Sequence, residues 1–229
     1  MTVQSLVMHA TPLTTRHRLS LVTALLAALV IAGCAPTTTT ATLSAADDRA
    51  PRVPGWNGVA MDGTPTMPDQ AFTAADGQPF DLRAAMRERP TLVYFGYTHC
   101  PDICPVHMAT IAAALDDRHI RPDQLNVVFV TVDPRRDTPD VLADYMAAFD
   151  PSFEGLWAPQ DEIDRVVTGL GLPAPVVEGD EGDGQYTMGH PSHVIAFDTQ
   201  GRARLAYPFG TRQSEWAEDL PKLVQEEWS

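Results

Sequence analysis

Positive charge is scarce in this chain. Its 229 residues hold 16 Lys and Arg against 30 Asp and Glu, a formal net charge of −14 at pH 7. A surface so acidic repels phosphates, which argues against nucleic-acid binding and makes a cation a more natural guest than an anion. Long hydrophobic runs are also missing. The most apolar stretch, "LSLVTALLAALVIAG" at residues 19–33, has about fifteen residues, short of the roughly 20 that a permanent bilayer-spanning helix needs. Cysteine is rare, with three in all, so no second pair exists to complete a four-ligand structural zinc site around Cys100 and Cys104. No internal repeat is present. The length suffices for one buried core, and a single domain with appendages is the expectation.

What is present begins at the N-terminus, where Arg16 and Arg18 precede the apolar run and Cys34 follows it. This is the outline of a signal sequence. Its end, "IAGC", resembles the lipobox of bacterial lipoproteins, which implies cleavage after residue 33 and lipidation of Cys34 at the start of the mature chain. That accounts for the odd cysteine and leaves Cys100 and Cys104 as an isolated pair outside the cytoplasm, where a dithiol either oxidises or is kept reduced for a purpose. Residues 34–57, "CAPTTTTATLSAADDRAPRVPGWN", carry no apolar period and read as a flexible tether.

Residues 58–229 read as one folded domain. "AFTAADGQPFDL" is a hairpin through Asp76-Gly77, and "PTLVYFGY" and "LNVVFVTVD" are buried strands. "HMATIAAALDD" is a helix. "TPDVLADYMAAFD" is another, with Thr138 as N-cap and Pro139 in the first turn, and "PQDEIDRVVTGLGLP" is a third, stopped by glycines. "EGDEGDGQ" is an acidic surface loop, "HVIAFDTQGRARLAYP" a hairpin, and "SEWAEDLPKLVQEEW" a closing helix with an irregularity at Pro221. This order predicts an α/β, thioredoxin-like mixed sheet flanked by helices on both faces, with an N-terminal hairpin.

"YFGYTHCPDICPVHMATI" places Cys100 and Cys104 at a strand-to-helix junction. Side chains at i and i+4 share a helix face, so this spacing lets two sulfurs converge on one ion, and a helix start favours the thiolate that ligates or attacks. Redox chemistry suits the same place, although the usual thioredoxin-like pair is separated by two residues rather than three. A structural disulfide here closes a tiny loop and removes little unfolded-chain entropy. A peroxiredoxin would want Thr three positions before its reactive cysteine, and Thr98 is two before Cys100. Two thiolates with one imidazole suit copper(I) better than zinc. Candidates for the imidazole are His99, His107, His119, His190 and His193. His107 reads otherwise as an exposed helical residue, and His193 as structural. His190, in "YTMGHPSHVIAF", lies in the loop entering a core strand, which in thioredoxin-like folds faces the dithiol.

"FGYTHCPDICP", "VTVDPRRDTPDVLADYMAAF" and "YTMGHPSHVIAFD" together resemble, in order and spacing, the signature segments of the Sco/SenC family, thioredoxin-like copper proteins that help assemble cytochrome c oxidase. The resemblance covers about residues 65–225. It implies a copper ion held by Cys100, Cys104 and His190, with Asp133 of "TVDP" in a supporting role. Gly189 and Pro191 flank the histidine where the family commonly has Asp before it and Ser or Thr after. It further implies delivery of copper to the copper-carrying subunit of the oxidase, whose site lies on the outer side of the cytoplasmic membrane, and the lipid anchor read at Cys34 is consistent with that partner. A thiol-disulfide reductase acting on the acceptor's cysteines is the alternative, and a copper sensor or buffer a third.

Overall fold

A computed structural model describes residues 52–179 and 185–228. Short extended pieces come first: β1 (Val59–Ala60), then β2 (Ala71–Ala74) and β3 (Pro79–Asp81). The turn between β2 and β3 requires Gly77, whose φ is 79°, in the region that side chains disfavour. Asp81 ends β3 and caps α1 (Leu82–Glu88) by accepting the Ala84 N–H at 2.8 Å.

Next come β4 (Thr91–Gly96), α2 (Ile103–Arg118), β5 (Asn126–Thr131), α3 (Pro139–Ala147), β6 (Glu154–Trp157) and α4 (Gln160–Gly169). Thr138 caps α3 as expected, accepting the Val141 N–H at 3.4 Å. The chain then forms β7 (Val176–Glu178), β8 (Thr187–Gly189), β9 (Val194–Phe197), β10 (Ala203–Tyr207) and α5 (Gln213–Val224).

Eight strands make one mixed sheet in the order β1-β10-β9-β4-β5-β6-β2-β3, and β7 and β8 pair separately. β5 lies parallel to β4 and to β6, while β9 runs antiparallel to β4 with Val194 opposite Tyr94. All of β4 is buried. Because successive side chains point to opposite faces, that burial requires cover on both sides of the sheet. α2 and α5 pack against each other, burying Met108 and Ile111 from one and Trp216, Leu220 and Leu223 from the other. Each such side chain contributes about 1.5–3 kcal/mol through burial.

The expected thioredoxin-like class holds, and the differences are local. α1, β6 and the β7–β8 ribbon do not show in the sequence pattern. α1 has one buried pair, Leu82 and Met86, too little for a visible period. β6 carries Gly155, where an added Cβ would lie 3.0 Å from the Leu142 Cβ of α3, so helix packing favours the glycine over a β-former. β7 is exposed at every position and lacks the alternation of a half-buried strand. α5 continues through Pro221. Residues 52–57, read as the end of a tether, are instead fastened to α5. Trp56 is buried and stacks on Trp228 at 5.8 Å. The Asn57 N–H donates to buried Asp219 at 2.7 Å, and Arg52 pairs with Glu215 at 2.7 Å. These polar partners come from 162 and 163 residues away, where no local pattern could announce them. Residues 1–51, with Cys34, lie outside the described residues.

Candidate metal centre

The centre forms where β4 ends. Cys100 sits in the turn that follows, its N–H donating to the Tyr97 carbonyl at 3.2 Å. Cys104 lies in the first turn of α2. The two cysteines therefore do not share a helix, as the spacing suggested; Cys100 precedes it. Their sulfurs still converge, because the Cys100 Sγ accepts the Cys104 N–H at 3.3 Å. That N–H is one of those a helix start leaves without an intrahelical partner, so the sulfur acts as a cap and feels the positive end of the helix. Gly96 makes room, since a Cβ there would meet the Phe129 ring at 2.8 Å and the Cys104 Sγ at 3.1 Å.

His190 arrives from the opposite direction, just after β8 and before β9. Pairing of β9 with β4 carries it over the cysteine turn. Its Nε2 lies 3.7 Å from the Cys104 Sγ, and its Nδ1 lies 3.0 Å from the Pro191 carbonyl. A carbonyl can only accept, so Nδ1 carries the proton and the Nε2 lone pair faces the sulfurs. The ring stands edge-on to Tyr97 at 5.5 Å and to Tyr94 at 6.0 Å. A Cβ at Gly189 would lie 2.6 Å from a Glu178 side-chain oxygen across the ribbon, an exposed carboxylate that can swing aside.

The donor atoms of Cys100, Cys104 and His190 all lie within 4.8 Å of one another, and both cysteines are free thiols. Two soft sulfurs and one oriented imidazole nitrogen form a donor set suited to a soft ion of low coordination number, copper(I) above all.

A profile described as SCO1/SenC matches residues 60–225. The chain belongs to the SCO1/SenC family. An SCO2-like protein of Rickettsia prowazekii is 36% identical over 117 residues, 51% of this chain and 57% of that protein. The matches thus span little more than half the length of the first curated relatives. The solved structure of ScoI from Bradyrhizobium japonicum with copper bound superposes with a TM-score of 0.61 at 32% identity, over 69% of this chain and 99% of that one. BsSco, a member of the Sco family of cytochrome c oxidase assembly proteins, shares the fold with a TM-score of 0.55 at 18% identity, over 71% of this chain and 95% of its own.

The two thiols of this SCO1/SenC chain are unequal. A hydrogen bond from Cys104 drives the Cys100 thiol strongly down against the effect of its burial, with help from the backbone of Cys104 and Asp102. Burial pushes the Cys104 thiol up, and its bond to Cys100 adds to that. Because it accepts the Cys104 N–H at the helix start, Cys100 is the sulfur on which the pair's thiolate charge is better supported. Cys100 is 9% exposed and Cys104 is fully buried.

The other candidates stand apart. His99 is half exposed and 3.6 Å from Asp137. His119 takes a left-handed conformation at the far end of α2. His193 is partly buried and outside the three-residue cluster. His107 is not the exposed helical residue expected: it is 3% exposed, between Tyr94 at 5.0 Å and Phe209 at 5.4 Å, and burial lowers its pKa to about 4. Asp133 is buried and outside the three-residue cluster. It accepts the Tyr186 hydroxyl at 2.8 Å and pairs with Arg136, whose guanidinium lies 3.6 Å over the Tyr186 ring.

Asp137 was not singled out in the sequence. It is fully buried and accepts the Thr98 N–H at 2.9 Å, the Thr98 hydroxyl at 2.6 Å and the Thr131 hydroxyl at 2.6 Å. It thereby ties the segment entering Cys100 to the end of β5. The one signal in the sequence, an acid just before the Thr138 cap, reads as ordinary helix-start chemistry.

Proposed function

We propose that this chain binds one copper ion through Cys100, Cys104 and His190 and delivers it to the copper-carrying subunit of cytochrome c oxidase during assembly. The observation that carries the reading is the convergence of two free thiols and an imidazole lone pair within 4.8 Å. Membership of the SCO1/SenC family supports it, as does the copper-bound ScoI relative. In this reading the ion is cargo. The unequal thiols suit that use: Cys104 anchors from the interior, and Cys100, nearer the surface, is the ligand a receiving site can replace. Lipidation of Cys34 holds the domain at the outer face of the cytoplasmic membrane in the same proposal. Among the described residues no helix is long and apolar enough to cross a membrane.

Anaerobic copper titration of the reduced protein tests the site. One equivalent bound, with thiolate-to-copper(II) absorbance on oxidation and loss of tight binding in Cys100→Ser and His190→Ala, is the expected result. Tight binding retained by His190→Ala would remove the imidazole from the centre.

The second reading, a thiol-disulfide reductase, is favoured by the lowered Cys100 thiol beside a protonated Cys104. A disulfide-containing acceptor peptide separates the two readings, because His190→Ala should reduce it nearly as fast as the wild type if the cysteines alone do the work.

A further inference from the structure

Tyr94 is a core residue of β4 by its sequence context and is 1% exposed. Its hydroxyl nevertheless points at the centre, donating to the Cys104 Sγ at 3.5 Å. Its ring meets the His190 ring edge-on at 6.0 Å and the His107 ring at 5.0 Å. One side chain thus touches a sulfur with its polar end and packs its ring against the imidazole. Cys100 receives its hydrogen bond from a backbone N–H instead, so the two sulfurs are supported by different means.

We infer that Tyr94 is a positioning residue that holds the cysteine pair in its reduced, metal-ready form and weakens Cys104 as an electron donor. A hydroxyl hydrogen bond stabilises a thiol or thiolate sulfur, whereas the sulfur of a disulfide is a poorer acceptor, so the bond favours the dithiol over the disulfide. The same bond draws electron density from the sulfur lone pairs. A metal bound there receives less from Cys104 than from an unsupported thiolate, which favours the lower oxidation state of copper and easier release. This second consequence rests on the copper reading; the first does not.

Tyr94→Phe removes the hydroxyl and keeps the ring. Tyr145→Phe is the matched control, because the Tyr145 hydroxyl is buried with no hydrogen-bond partner among the described residues while its ring packs on Phe129 at 5.5 Å. The metal-free proteins are equilibrated with glutathione, the protein dithiol and one glutathione disulfide giving the protein disulfide and two glutathione thiols. Tyr94→Phe should shift this equilibrium toward the protein disulfide by about two- to tenfold, the range of one net hydrogen bond, and Tyr145→Phe should not shift it. In the copper(II)-loaded protein, Tyr94→Phe should move the thiolate-to-copper charge-transfer band to lower energy. An unshifted glutathione equilibrium, or an equal shift in both variants, overturns the inference. A shift specific to Tyr94→Phe in a protein that binds no copper supports it and defeats the copper reading alone.

Discussion

Replacing Asp137 should destabilise the whole domain and loosen the centre with it. The carboxylate is fully buried and accepts three hydrogen bonds, from the Thr98 N–H, the Thr98 hydroxyl and the Thr131 hydroxyl. Hydrogen bonds to a charged group are worth about 1.5–3 kcal/mol each, but they do not simply add. The two hydroxyls can rotate toward other acceptors when the carboxylate is gone; the Thr98 N–H, fixed by the backbone, cannot. Asp137→Ala should therefore cost about 2–4 kcal/mol, one stranded backbone donor at about 1–3 kcal/mol and part of the two hydroxyl bonds, out of a total of roughly 5–15 kcal/mol for a domain. Asp137→Asn can keep its carbonyl on the Thr98 N–H and offer its amide to the Thr98 hydroxyl, which then accepts. Losing only the charge should cost about 1–2 kcal/mol. Urea unfolding at pH 7, with the slope of the transition checked for constancy, measures both, and copper titration of the folded Asn variant should show weakened binding because Thr98 leads into Cys100. An Ala variant within about 1 kcal/mol of wild type would refute the assignment of this carboxylate as the anchor of the cysteine turn.

Two further perturbations follow from the packing and the charge states. Gly96→Ala places a Cβ 2.8 Å from the immobile Phe129 ring and 3.1 Å from the Cys104 Sγ; it should cost about 1–3 kcal/mol and weaken copper binding, and a urea midpoint unchanged from wild type would show that the strand end has slack. His107 has its pKa lowered by burial from 6.5 to about 4, so the unfolded chain takes up its proton first as pH falls: the stability tied to this residue is intact above pH 6.5 and is lost progressively down to about pH 4. His107→Gln should flatten the decline between pH 6.5 and 5 in a denaturation series, and a variant that keeps the wild-type slope there would contradict the buried, neutral assignment.

Much of the fold was legible because its central strands are buried on both faces. "TLVYFG" and "NVVFVT" read as strands wherever they are placed, and the glycine turns at Gly77 and Gly201 declare themselves through conformations that suit glycine, with φ of 79° and 72°. Elements held by distant partners were not legible. β7 and β8 pair as strands with each other rather than with the main sheet, and residues 52–57 become ordered through Asp219 and Glu215 on α5. The exposure expected of His107 fails for a related reason. The side of a helix that is covered depends on what packs there, and Phe209 and Tyr94 reach it from other elements.

For the centre, the sequence by itself determined the dithiol. Cys100 and Cys104 are four positions apart at a strand-to-helix junction, and local backbone geometry suffices to bring one sulfur onto the other's N–H. The signature segments also pointed to His190, but through resemblance rather than through any local rule, since it lies 86 residues from Cys104. Only the tertiary structure decided that the imidazole faces the sulfurs, because the antiparallel register of β9 on β4 sets where the preceding loop falls. The tertiary structure also buried Cys104, which pushes its thiol up, and recruited Tyr94 and Asp137. Burial and hydrogen-bond partners are properties of the assembled interior, and no stretch of the chain carries them alone.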